Sequence, residues 1–377
     1  MSEVPARPRV VLAAVGDPAS IATWSGVTAG VFSGLRQLGV QSEAMNLRLP
    51  GALETALLAT AALPTRNRYD AEGATLTSAV RGALAARRVP HLAADGIVQI
   101  GTTYSLPGDV PFVTLEDMTL RQATAVHPVF SRMSAGAVER WERRRARIYA
   151  RARMCCAASR WTAESLGRDY GIPADRIAVV GFGANHRAGA PERDWRVPRF
   201  LFVGIDWERK GGPQVLRAFA RLREAHPDAV LDVVGGHPPL DLTGVNCHGV
   251  LSQARDGDRA TIVDLFARAT CFVMPSLVEP FGIVHAEAAS AGIPSIVSSV
   301  GGPRDVIGAD GGLVVEPGDE GALVEAMLRL CDPATARRMG AAARERSALY
   351  TWPKVAARLL RALGLAAPDE RVLAEFL

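Results

Sequence analysis

Short runs of β-branched and aliphatic residues alternate along this chain with longer Ala/Leu/Arg-rich segments of helical period. The runs are Arg9–Val15, Gly96–Ile100, Val110–Leu115 and Met154–Ala158, then Arg199–Val203, Val230–Val234, Cys271–Met274, Ser295–Ser298 and Gly312–Val315. Parallel α/β layers need this alternation, because a parallel strand is buried on both faces and its crossover is a helix. Sandwiches and helix bundles do not produce it. With 377 residues and roughly 150 per domain, two such units are expected. The first runs from strand Arg9–Val15 through a Gly/Ser/Thr loop at Ser25-Gly26 into a helix ending near Leu38-Gly39. The second repeats the plan with Arg199–Val203, Gly204, a short loop and a helix from about Pro213 to Ala225. The Pro- and Arg-rich stretch 186–199 reads as the connection. The expected division is 1–188, 189–355, and C-terminal helices over 356–377 that return towards the first unit. Asp319 is the expected N-cap of a helix over Glu320–Leu330.

Composition removes several classes. At 48% hydrophobic and 22% charged residues the chain is not disordered, collagen-like or a disulfide scaffold. The 43 basic and 39 acidic residues leave a net charge of +4, too small to argue for nucleic acid. Cysteines 155, 156, 247, 271 and 331 are odd in number and form no CxxC pair, so reduced thiols, no zinc site and a cytoplasmic location are expected. The apolar run Val10–Val15 is short for a signal peptide, and no stretch approaches the roughly 18 apolar residues of a spanning helix.

The most specific segment is Pro275-Ser276-Leu277-Val278-Glu279-Pro280-Phe281-Gly282-Ile283-Val284-His285-Ala286-Glu287-Ala288, directly after an apolar strand. Glu279 falls in the strand-to-helix loop and Glu287 inside the helix, about 7.5 Å along its axis from the start. One loop-borne and one helix-borne carboxylate can hold different parts of an extended ligand. Phe281 and Gly282 lie between them. Gly282 allows close approach to the backbone, and the N–H groups of Gly282, Ile283 and Val284 offer an anion site reinforced by the helix dipole. An anionic, polyhydroxylated ligand fits.

This segment resembles the Glu-x7-Glu signature of the retaining GT-B glycosyltransferases of family 4. Leu265-Phe266-Ala267-Arg268-Ala269 before it, Glu287-Ala288-Ala289-Ser290-Ala291-Gly292-Ile293-Pro294 after it and Gly301-Gly302 follow the same order. Ala158-Ser159-Arg160-Trp161-Thr162, Tyr170-Gly171-Ile172-Pro173 and Gly183-Ala184-Asn185 resemble the end of the family's acceptor domain. The resemblance implies a GT-B fold, two Rossmann-like domains facing a central cleft. It implies that Glu279 touches the donor sugar and Glu287 the nucleotide ribose. Gly204-Ile205-Asp206-Trp207-Glu208-Arg209-Lys210-Gly211-Gly212 resembles the diphosphate loop. Lys210 stands in its expected place. The usual arginine after Val-Gly is replaced by Ile205, so Arg209 is assigned the missing charge. The loop Asp17 to Val27 resembles the family's glycine loop, with Gly26 letting the backbone approach donor or acceptor. Where many members carry a histidine, this chain has Glu116-Asp117, leaving Asp117 as a sugar contact, an acceptor-activating base or a plain N-cap.

The implied activity is retaining transfer of a hexose from a nucleotide sugar to a hydroxyl acceptor, with UDP-glucose or UDP-GlcNAc ahead of a GDP-mannose type donor. No cofactor or metal is expected. A nucleotide-sugar 2-epimerase-like enzyme on the same fold, or a non-catalytic module using a basic helix for membrane or nucleic acid, are the alternatives. Its basic run is Arg140–Arg153, and Val138, just before it, forms with Trp141, Ile148, Tyr149 and Ala152 an inward stripe opposite a cationic face. A solvated face is favoured over attraction to an anionic membrane or acidic acceptor, and nucleic acid is least favoured. His127 and His285 are read as structural.

Overall fold

A computed structural model of the chain describes residues 7–62, 68–108, 110–186 and 193–365. The chain forms two units, Met1–Phe182 with Trp352–Leu377, and Gly183–Thr351.

The first unit holds β1 (Arg9–Ala14), β2 (Gln41–Asn46), β3 (Gly96–Ile100), β4 (Phe112–Glu116), β5 (Met154–Ala157) and β6 (Ile177–Val179). Their order is β2-β1-β3-β4-β5-β6, with every pairing parallel. The second holds β7 (Arg199–Val203), β8 (Val230–Val234), β9 (Val245–Gly249), β10 (Cys271–Met274), β11 (Ser295–Ser298) and β12 (Gly312–Val315). They are ordered β12-β11-β10-β7-β8-β9, again all parallel. Strand order reverses between β7 and β10 in the second sheet and between β1 and β3 in the first. Crevices at the carboxyl ends of strands open at such switch points.

Central strands are buried on both faces, which is why they are unbroken apolar runs. Val10 to Ala14 and Cys271 to Met274 have no exposed surface. The edge strands β2, β6 and β9 escape the sequence pattern. Gln41-Ser42-Glu43 and Asn246-Cys247-His248 are polar and partly open to solvent, so no apolar run marks β2 or β9, and β6 is an apolar run of only three residues, Ile177-Ala178-Val179. The expected strand Val110–Leu115 is shifted to Phe112–Glu116, bringing Glu116 into the sheet. Asp319 caps the helix Glu320–Arg329 by accepting from the N–H of Ala322 at 2.9 Å.

Both division points differ from those expected. Gly183 to His186 belong with the second unit: the N–H of Ala184 donates to the carbonyl of Tyr350, and His186 meets Glu287. Arg193, expected in a linker, donates to the carbonyls of Phe266, Ala267, Ala291 and Gly292. Trp352 to Val355 belong with the first unit. There the helix Trp352–Leu363 lies against the helix Val27–Gln37 at Gly30 and Gly34. A Cβ on Gly30 would come within 2.0 Å of the Trp352 ring, and one on Gly34 within 2.3 Å of the Trp352 carbonyl oxygen. The remainder of the expected C-terminal helices, from residue 366 on, lies outside the described residues.

Candidate functional site

In the second unit the loops after β7 and β10 flank the switch point, and they are bonded to each other. The N–H of Leu277 donates to the carbonyl of Arg209 at 2.8 Å. The Arg209 guanidinium reaches the carbonyl of Val278 at 3.1 Å and the carboxylate of Asp206 at 2.9 Å. Gly211, at φ +82°, faces Pro275 so closely that a Cβ would lie 2.7 Å from its carbonyl oxygen. Lys210 forms an ion pair with Glu279 across the two loops. Burial pushes the Glu279 carboxyl up, but the Lys210 charge and hydrogen bond outweigh it and hold the group below its usual range. The backbone of Glu279 is clamped from the loop after β11: the N–H of Gly302 donates to its carbonyl at 3.0 Å. Gly301, at φ +113°, leaves no room for a Cβ, which would sit 1.9 Å from that same oxygen.

The chain then turns through Gly282, at φ +81°, into the helix Ile283–Ser290, whose N-terminus has no side-chain cap. Phe281 is buried edge-on to Tyr350, with ring centroids 5.7 Å apart, while Ile283 and Val284 are half-buried. Glu287 is 2% exposed. Burial pushes its carboxyl up to about 8, although the N–H of Asn185 donates to it. His186 Nδ1 lies 3.2 Å from Glu287 Oε1, but Oε1 has no aligned hydrogen-bond partner. Burial pushes His186 down to about 4, so both shifts favour the uncharged forms of the two groups. His285 is fully buried, edge-on to Phe272, with neither ring nitrogen bonded; burial pushes it down to about 3.

Arg209, Lys210 and Glu279 are therefore one cluster, with Gly282 and Glu287 on the helix leading away from it. Ile205 stands 76% exposed at the loop's start. Gly26 and Asp117 lie in the first unit. Gly26 (φ +83°) follows Trp24 and Ser25, both also left-handed, beyond the carboxyl end of β1, and opens the helix Val27–Gln37. Three successive positive φ values, two of them on non-glycine residues, are costly and mark this loop as tightly constrained. Asp117 is half-buried, accepts from the N–H of Met118 at 2.8 Å and takes the Thr162 hydroxyl on its carbonyl. It is not the N-cap of the next helix. Thr119 is, in a capping box with Gln122.

Glu116 was not singled out by the sequence. It ends β4, is 1% exposed and lies 3.3 Å from Arg145, which also donates to Thr102. Burial pushes it up to about 7 against the pull of Arg145. The available signal was a carboxylate at the end of the run Phe112-Val113-Thr114-Leu115. His127 accepts from the N–H of Val129 and stands edge-on to Phe130. Among the described residues no three His, Cys, Asp or Glu side chains converge on a metal position, and no helix is long and apolar enough to cross a membrane.

The chain is 36% identical over 164 residues to the glycogen synthase of Mycobacterium tuberculosis, covering 41% of this chain and 40% of that protein. It is 29% identical over 228 residues to the D-inositol 3-phosphate glycosyltransferase of Corynebacterium diphtheriae, covering 54% and 53%. The chain thus spans about half the length, or less, of these curated relatives. Among solved structures, sucrose-phosphate synthase from Thermosynechococcus elongatus superposes with a TM-score of 0.67 at 20% identity, over 93% of this chain and 96% of that one. The fold is GT-B, and residues 191–346 match the family model described as glycosyl transferases group 1.

Proposed function

We propose that this chain is a retaining glycosyltransferase of family 4 that moves a hexose from a UDP-sugar, UDP-glucose or UDP-GlcNAc, to a hydroxyl acceptor without a metal ion. The observation that carries the reading is the Lys210–Glu279 pair at the β7/β10 switch point, beside an uncapped helix N-terminus. The matched family residues and the relatives named above support it.

In this reading the bond between the anomeric carbon and the diphosphate oxygen breaks with its electron pair going to the diphosphate. The acceptor oxygen bonds to the anomeric carbon on the same face, and its proton passes to the departing oxygen. Lys210, Arg209 and the N–H groups of Gly282, Ile283 and Val284 stabilise the growing negative charge. Fixed donors aimed at developing charge are usually the largest catalytic contribution. Glu279 holds hydroxyls of the donor sugar, fixed in place by Lys210 and the backbone clamp at Gly301-Gly302. Glu287 holds the ribose, whose hydroxyl would satisfy the unpartnered Oε1. The first unit takes the acceptor, with Asp117, the residue after β4, as a candidate to contact it.

Calorimetry and turnover test this together. Glu287→Ala weakens UDP binding by about tenfold or more, the cost of one lost charged or buried hydrogen bond. Glu279→Ala keeps UDP affinity and loses about a hundredfold in turnover of the UDP-hexose. EDTA leaves turnover unchanged. Unaltered UDP affinity in Glu287→Ala removes that residue from the site, and tighter binding of GDP than UDP replaces the proposed donor.

A further inference from the structure

The helix Ala135–Arg151 of the first unit carries cations that the proposed reaction does not use. Its stripe of Trp141, Ile148 and Tyr149 packs inward, and Arg145 is committed to Glu116. Arg140, Arg143, Arg144, Arg147 and Arg151 instead line one groove of about 490 Å³. Their spacing puts them on a single helix face over about 16 Å. Thr75 and Ser78 from the first turn of the helix Thr75–Arg88 line the groove as well, as does Ser105 from the loop after β3. That helix N-terminus has no side-chain cap, so its positive end adds to the field.

The charges in this groove are not compensated. Among the described residues only Arg143 of the five has a carboxylate at ion-pair distance, Glu139. Arg144 reaches the carbonyl of Gly73, and Arg151 those of Leu106 and Gly108; these contacts fix the guanidinium groups without neutralising them. Arg144 is only 7% exposed, and its Nη1 has no hydrogen-bond partner. Burial, with Arg147 and Arg140 nearby, pushes it down to about 10. A solvated helix face, the reading favoured on sequence, does not account for a buried guanidinium with an orphaned donor.

We propose that this groove binds a ligand carrying two or more phosphate groups, held by Arg140, Arg144 and Arg147 with the hydroxyls of Thr75 and Ser78. Forked guanidinium groups match phosphate oxygens in pairs. A line of five arginines carries more charge and length than one phosphate would neutralise. Arg144, the one recessed member of the five, favours a ligand that enters the groove over a membrane surface, which gathers exposed cations.

Inorganic tripolyphosphate titrated into the full chain, at fixed ionic strength and with UDP either absent or saturating, tests this. Binding should persist under saturating UDP, exceed that of single phosphate, and weaken at least tenfold in Arg140→Gln/Arg147→Gln. Both substituted side chains are exposed, and the variant's UDP affinity should match that of the unaltered chain. Loss of UDP binding in every protein would sink the donor assignment and leave the groove standing. The groove proposal is overturned by three results: no tripolyphosphate binding, equal binding by the double variant, or arginine-dependent binding seen only with phosphatidylglycerol vesicles.

Discussion

Arg209 is used twice over, bonded to Asp206 within its own loop and to Val278 in the next. Lys210 faces the buried Glu279. If both stabilise charge on a departing diphosphate, Arg209→Ala and Lys210→Ala each lower kcat more than they raise KM, because that charge grows towards the transition state. Steady-state kinetics with the UDP-hexose should show about a hundredfold loss for Lys210→Ala. A silent Arg209→Ala beside an impaired Lys210→Ala reduces Arg209 to a clamp between loops. At this scale the sequence named the individual residues but not their pairings. Lys210 and Glu279 are 69 positions apart, and only the adjacency of β7 and β10 brings them together. Glu116 and Arg145 were illegible for the opposite reason. Each sits in a segment whose neighbours explain it, one as a strand end and one as part of a basic helix face, and their pairing depends on packing between elements.

Elements were legible where burial leaves a periodic trace. The central strands of both sheets are two-sided and apolar, so their runs stand out. Edge strands such as Val245–Gly249 are half wet and do not. A C-terminal helix returning towards the first unit was expected, but the partner of Trp352–Leu363 was not, because the partner's signal is two glycines. Gly30 and Gly34 recur at helical spacing on Val27–Gln37 and accept the Trp352 ring and backbone directly. Gly34→Ala should therefore destabilise the chain by about 1–3 kcal/mol through overpacking, since the obstructing atom belongs to the backbone. Gly51→Ala, where a Cβ would meet nothing within 4 Å, is the matched control. Urea midpoints that coincide for the two variants would show that the helix contact yields more easily than its geometry implies.

Across the whole molecule, alternation of strand and helix declared two parallel α/β units, but strand order is a long-range property that the pattern does not encode. Among the described residues, burial also raises two carboxyls and lowers two imidazoles. Glu287 is pushed up to about 8 and Glu116 to about 7, while His186 is pushed down to about 4 and His285 to about 3, in each case chiefly by loss of water. A raised carboxyl keeps a proton that the unfolded chain releases, so its contribution erodes stability as pH climbs from the usual 4.5 to the folded value. A depressed imidazole is unprotonated in the fold while the unfolded chain binds a proton, so stability grows as pH rises towards the usual 6.5. Between 4.5 and 6.5 two groups of each kind oppose one another, and their contributions nearly cancel. Above 6.5 only the carboxyls remain, Glu116 to about 7 and Glu287 to about 8. At about 1.4 kcal/mol per unit, the half unit from Glu116 and the unit and a half from Glu287 give a fall of up to about 3 kcal/mol as pH rises from 6.5 to 8. Urea unfolding at the two pH values measures it. Glu287→Gln, which cannot ionise, should remove most of the fall, and a fall that survives in this variant would mean that Glu287 is already ionised in the native protein.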